Sequence, residues 1–191
     1  MSKNYLAYTL LVFATFCWSG NFIVGKFAYL FEVPPLTLNF LRWASVWFIL
    51  LPFTYKEILS KKKEIVNNLP LLLFLGLTSV GLFNSFVYVS LQYTQVINAS
   101  LFNTAIPAAI ILSCFIFKIE KTNLYQLLGL LISVLGILVI ITKFNLNILL
   151  NLDFNIGDIW MIGAVICWGL YSSFLKKLKL KISLLSFVHI V

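Results

Sequence analysis

The sequence predicts an all-α fold, a polytopic transmembrane helix bundle, and three observations carry that prediction. Six stretches are each long and apolar enough to cross a bilayer. The composition is 61% hydrophobic with only 10% charged residues, and the mean hydropathy is +1.01, far from a soluble domain. The lysines fall almost entirely on every second connection, as they do in a chain that crosses a membrane repeatedly.

A helix rises about 1.5 Å per residue, so roughly 20 apolar residues cross about 30 Å of hydrocarbon. Such stretches lie at about 5–28, 36–55, 69–91, 97–118, 123–142 and 157–175, and a seventh begins near Ile182. Helices are expected rather than barrel strands because the run from Leu124 to Ile141 is apolar on nearly every side. A barrel strand alternates in polarity over about 10 residues. The first stretch follows a single lysine, exceeds a signal-peptide core in length and lacks a small-residue cleavage site, so it reads as a retained helix.

Orientation follows from the cations. With the N-terminus in the cytoplasm, that face receives Lys3, Lys56, Lys61, Lys62, Lys63, Lys118, Lys121, Lys176, Lys177, Lys179 and Lys181. The opposite face receives Lys26 and Lys143, and Arg42 lies inside the second span. The acids divide evenly, with Glu57, Glu64 and Glu120 inside and Glu32, Asp153 and Asp158 outside, so the bias belongs to the cations. The net charge of +8 is thereby a topology signal, and the run Lys61-Lys62-Lys63 suits anionic lipid. A nucleic-acid partner is not expected, because basic residues interleaved with aromatics on a soluble surface are missing.

Catalysis finds little to work with. No phosphate-binding loop is read from the sequence, so ATP hydrolysis by that route is not expected. The one histidine, His189, stands near the end of the sequence, and no Ser-His or paired-carboxylate arrangement falls within the spans. The three cysteines, Cys17, Cys114 and Cys167, sit within spans without metal-ligand spacing and read as small apolar residues. Neither an enzyme nor a cofactor nor a metal site is expected.

Polar residues at helical spacing mark faces that avoid lipid. Asn84, Tyr88 and Gln92 recur every fourth residue on the third span, as do Ala99, Asn103 and Pro107 on the fourth. The amides serve either a substrate path or helix association, at about 0.6 kcal/mol per bond. Pro107 removes a backbone bond to Asn103; the result is a packing kink or a carbonyl open to water, a side chain or ligand. A charge at mid-bilayer costs about 3 kcal/mol, so Arg42 either snorkels to the headgroups or faces a cavity. Trp18 and Trp168 sit nearer mid-span than the usual interfacial belt, as cavity walls or as packing. Gly129, Ser133 and Gly136 form a small-residue stripe suited to close helix packing.

An internal echo adds organisation. Cys17-Trp18 aligns with Cys167-Trp168 at the offset that also sets Ala14 against Ala164 and Lys26 against Lys176. A repeat of that length holds five helices, an odd number, so the second copy runs inverted to the first. Inverted repeats are a route to alternating access around a site at the midplane.

The stretch from Tyr93 to Ile141 resembles the fourth and fifth helices of the EamA repeat of the drug/metabolite transporter superfamily. The likeness is carried by a short polar entry, a helix with central Pro107, Glu120 closing it, and a Gly-Leu-Leu-Ile-Ser-Val-Leu-Gly helix from Gly129 to Gly136. The first helix, with Trp18, Ser19, Gly20 and Asn21, and the second, with Arg42 after Phe40, are similar to the family's opening helices. The resemblance implies a first repeat at 1–143, an extracytoplasmic connection at 144–156 and the start of a second repeat at 157–191. It further implies ten helices in the whole, so a chain reaching Val191 inside an apolar segment is expected to be part of a longer protein.

What the resemblance implies for function is an exporter of small organic metabolites working by alternating access. The alternative is a non-transporting subunit or truncated product with an assembly role. The substrate-path candidates are Trp18, Asn21, Arg42, Asn84, Tyr88, Asn103, Pro107 and Trp168. The first four helices would line the path and the fifth would be scaffold. Related small multidrug pumps carry a glutamate in their first helix, and no acid lies between Lys3 and Glu32 here, so coupling through that carboxylate is not expected. The expected partners are a small-molecule substrate and the lipid bilayer, and no oligomeric state is read from the chain. A composition rich in Lys, Ile and Asn with one Arg suits a bacterial inner membrane protein.

Overall fold

The first two long helices meet at Val33-Pro34-Pro35, where chain chemistry dictates both the stop and the start. Proline fixes φ and has no N–H to donate, so Pro35 suits the first turn of a helix. Before it, Glu32 takes a left-handed φ of 59° and Val33 N–H reaches back to Ala28 O at 2.9 Å, satisfying an orphan carbonyl. The resulting helices are α1, Lys3–Leu30, and α2, Pro35–Ser60. The structure, a computed structural model, describes residues 3–120, 123–142 and 155–191.

A short helix, α3, Lys62–Asn67, leads into α4, Leu69–Tyr93, which is interrupted by a π-helical segment at Leu77–Phe83. Then come α5, Val96–Ile116, with a 3₁₀ turn at Asn103–Ala105, and α6, Leu124–Thr142. After the expected connection come α7, Ile156–Leu175, and α8, Leu184–Ile190. Lys121, Lys143, Asp153 and nearly all of the connection expected at 144–156 lie outside the described residues. Every described element is helical, and α1, α2, α4, α5 and α7 each contain a stretch long and apolar enough to cross a membrane. The corresponding stretch of α6 is the shorter Leu124–Gly136.

The core sits where α7 packs against α4 and α5. Phe83, Val87, Leu91, Ala99, Phe102, Met161, Ala164 and Cys167 are buried there, with Phe22 of α1 closing one side. In lipid the apolar effect does not draw helices together, so close van der Waals approach must. Gly169 supplies it: a Cβ there would stand 2.8 Å from Ala109 Cβ and 2.9 Å from the Ala109 carbonyl carbon. Gly25 does the same for α1, where a Cβ would lie 2.8 Å from Tyr88 Cδ1 and Leu91 Cδ1. By contrast, no heavy atom lies within 4 Å of the Cβ positions of Gly129 and Gly136 among the described residues. The two glycines of the expected stripe on α6 therefore make no close contact among the described residues.

Polar contacts fix the two ends of the bundle. At one end Lys26 Nζ donates to Leu91 O at 2.7 Å and Thr94 O at 3.2 Å, placing a cation on the carbonyl end of α4. Asn155 Nδ2 donates to Tyr93 O at 3.0 Å beside it. The C-terminal part of α1 thus meets the N-terminus of α7, and the two helices run antiparallel. At the other end Lys176 pairs with Glu120 at 2.6 Å, a bond that raises the lysine pKa above its ordinary value. There too Glu57 accepts from the backbone N–H of Ser183 at 2.8 Å and from the hydroxyls of Ser183 and Ser186, fastening α8 to α2.

Two glycine substitutions should behave oppositely. Gly169→Ala forces a methyl against backbone and is expected to cost about 1–3 kcal/mol. Gly136→Ala meets open space and should be neutral or stabilising by up to about 1 kcal/mol. Thermal unfolding of both variants in one detergent checks this, and equal melting temperatures would contradict the packing described.

Candidate functional site: a polar cage beside an aromatic cavity

Arg42 stands one turn beyond Leu38 on α2, and its guanidinium turns toward α1 and α4. Nη1 donates to Asn21 Oδ1 at 2.6 Å, to Asn84 Oδ1 at 3.2 Å, and to the Tyr88 hydroxyl oxygen. The Tyr88 hydroxyl in turn donates to Asn21 Oδ1 at 2.6 Å. One nitrogen with two hydrogens therefore serves three acceptors, and Asn84 is the most distant of them. The guanidinium is thus bonded to groups of α1 and α4. A ring contact with Trp43, 5.4 Å from the guanidinium carbon, completes its surroundings.

The π-helical segment of α4 positions Asn84. A turn closed on the fifth residue rather than the fourth rotates the downstream residues around the helix axis. Asn84 Nδ2 spans this widened turn to Ser79 O at 2.9 Å, leaving its Oδ1 toward Arg42. Asn39 of α2 braces the same segment, donating to Val80 O at 2.9 Å and to Ser85 Oγ at 3.1 Å. Amide side chains thus hold the irregular backbone from both sides, as non-helical geometry inside a membrane requires.

Beside the cage lies a cavity of about 430 Å³. Arg42, Asn21 and Asn84 face it together with Trp18, Trp43 and Trp168. Phe83 and Tyr171 extend the aromatic wall, with Trp168 ring centroids 4.6 Å from Phe83 and 5.1 Å from Tyr171. Trp18 and Trp168, the pair that the internal echo aligns, touch with centroids 5.6 Å apart.

Of the eight residues singled out from sequence, five line this cavity and Tyr88 anchors the cage from behind. Asn103 and Pro107 instead line a neighbouring space of about 420 Å³, which shares Trp18 and Trp168 with the first. The carbonyl that Pro107 was expected to leave open is taken: Asn103 O accepts from Ile106 N–H, which tightens the chain into the 3₁₀ turn. Pro107 accordingly makes a local helix break with no free carbonyl at Asn103. The unpartnered group is the Asn103 side-chain Oδ1, which is buried.

Sequence reasoning missed Asn39, Trp43, Phe83 and Tyr171. A signal existed for the first two, because Asn39, Arg42 and Trp43 stand at i, i+3 and i+4 on α2. The string Gly20 to Lys26 also matches the glycines and lysine of a phosphate loop, but Phe27 succeeds it and the whole string is continuous helix in α1. Lys26 is spent on the carbonyls of α4.

A bundle of apolar helices that surrounds a polar cage and an aromatic cavity defines a multi-pass membrane protein. The chain belongs to the EamA-like transporter family, whose model matches residues 5–142. It is 30% identical over 129 residues to the "Uncharacterized transporter YyaM" of Bacillus subtilis, covering 67% of this chain and 41% of that protein. It is 29% identical over 182 residues to an "Uncharacterized transporter" of Archaeoglobus fulgidus, covering 94% of this chain and 60% of the relative. The "Uncharacterized transporter YoaV" of Bacillus subtilis is 24% identical over 174 residues, 90% of this chain and 57% of its own length. The chain therefore spans roughly half the length of these relatives. No solved structure gives a significant match.

Tyr88→Phe keeps the ring but removes the hydroxyl that links Arg42 to Asn21. The loss of a charge-assisted bond is expected to cost about 1.5–3 kcal/mol. It should appear as a lower melting temperature in detergent, whereas an unchanged value would remove Tyr88 from the cage.

Proposed function

We propose that this chain is the N-terminal part of a transporter that exports small organic metabolites across a bacterial inner membrane by alternating access. The observation that carries the reading is the cavity, with one cation, two amides and an aromatic wall facing it. Such a set binds a small polar-ended organic molecule, and it belongs to four separate helices whose relative movement would open it to either side. The antiparallel course of α1 and α7 supports a first repeat at 1–143 and an inverted second repeat beginning at 157. The Trp18–Trp168 contact supports it too, because residues near a pseudo-two-fold axis meet their own counterparts. The N-terminus is assigned to the cytoplasm on the lysine bias, and the outward direction is taken from the family resemblance.

The path comprises Trp18, Asn21, Arg42, Asn84, Tyr88 and Trp168, with Asn103 and Pro107 on its branch toward α5. Flux of a broad metabolite panel through proteoliposomes containing the whole protein tests this. Substrate-dependent efflux is expected, and its complete absence would favour an assembly role instead. Trp18→Ala and Asn103→Ala should both alter transport kinetics; unchanged kinetics in both would take them out of the path. Reporter tags near Lys62 and Asn155 should map to opposite compartments, and a common compartment would overturn the assigned topology.

A further inference from the structure

We infer that the cavity selects organic anions: a carboxylate-bearing molecule with a planar apolar body, its carboxylate on Arg42 and its body against Trp18 and Trp168. The inference rests on the transport reading and names the substrate class of that same site. Its basis is an imbalance of charge. The Arg42 guanidinium makes no ion pair among the described residues, and its cage consists of neutral oxygens alone. No aspartate or glutamate is among the residues that line the cavity. An uncompensated cation inside a bilayer is costly, and a ligand carboxylate is the group that offsets it.

Donor bookkeeping points the same way. Only Nη1 of Arg42 is engaged, which leaves Nη2–H and Nε–H without partners among the described residues. A guanidinium presents its donors in a fork that matches a carboxylate in bidentate geometry. Trp43, which lines the same cavity, carries a buried indole N–H that also lacks an acceptor among the described residues. The neutral oxygens of Asn21 and Asn84 already serve Arg42, while these further donors are free. A ligand carboxylate answers them, whereas a cationic ligand would meet the uncompensated arginine charge. The opposite wall is aromatic and fits a flat apolar body by ring contact.

Calorimetric titration of the whole protein in lipid nanodiscs, with empty nanodiscs as the partition control, tests the assignment with three probes of one shape. These are 3-phenylpropionate, its neutral amide 3-phenylpropionamide, and the cation 3-phenylpropylamine. The acid is expected to bind at least tenfold more tightly than the amide, and the amine more weakly than either. Arg42→Gln should reduce acid affinity to the level of the amide. Asn21→Asp, which retains the arginine but sets a carboxylate beside it, should do the same. An acid that binds no more tightly than the amide, including the absence of binding by both, overturns the inference without recourse to any variant. Unchanged acid affinity in Arg42→Gln overturns it as well. The two readings fail separately: flux without preference for anions removes the anion assignment and leaves transport, whereas acid binding without flux supports the site and removes transport.

Discussion

Arg42 imposes the constraint around which the described helices are arranged. A guanidinium cannot lose its proton, so within hydrocarbon it must be surrounded by oxygen atoms or reach water. Here the oxygens come from α1, through Asn21, and from α4, through Asn84 and Tyr88. Three helices must therefore converge at one depth. Gly25 lets them do so, since any side chain at that position would push α1 away from Tyr88 and Leu91. The π segment of α4 belongs to the same arrangement. It opens the helix just before Asn84, and the carbonyls it exposes are taken up by Asn84 and Asn39 rather than left to lipid.

Around this cage two groups of helices are joined by contacts of their own. The body is α4, α5 and α7, where Gly169 packs onto Ala109 and Ser173 Oγ donates to Ile110 O at 3.2 Å. A second pair is α2 and α8. Glu57 holds the first turn of α8, and farther along Thr54 Oγ1 meets His189 Nδ1 at 2.6 Å while Trp47 stands edge-on to the imidazole. The first of these contacts is a carboxylate at a helix N-terminus, where the peptide dipoles favour negative charge. The cavity is walled by residues of both groups and by Trp18 and Asn21 of α1.

The spans and their ends were legible because the bilayer leaves little choice: hydrocarbon thickness fixes helix length, and lysines gather at one set of ends. The expected 36–55 became Pro35–Ser60 because Pro35 starts the helix and Lys56 and Glu57 continue it beyond the apolar stretch. Individual cage members were legible too, since an arginine or asparagine in an apolar run is conspicuous. Their convergence was not, because it depends on which helices are neighbours and on the π turn. Ser79 and Asn84 stand five apart, a spacing that regular α geometry does not pair. Aromatic wall residues such as Phe83 and Tyr171 are hidden by composition: among 18 phenylalanines and 8 tyrosines, nothing local marks the ones that face a cavity. The glycine stripe on α6 teaches the reverse. Gly129 and Gly136 permit close packing, but permission does not supply a neighbour, and Gly169 meets one without any stripe.

The bonds of the arginine also tie the helices to one another. Its cage bonds run from α2 to α1 and α4 and so join three helices. Separating α2 from α1 and α4 would stretch these bonds, of which the 3.2 Å contact to Asn84 is the longest. Each bond lost leaves a donor exposed in low dielectric, which disfavours opening unless another acceptor arrives. A group that brings oxygen atoms into the cavity lowers that cost, while an apolar one does not.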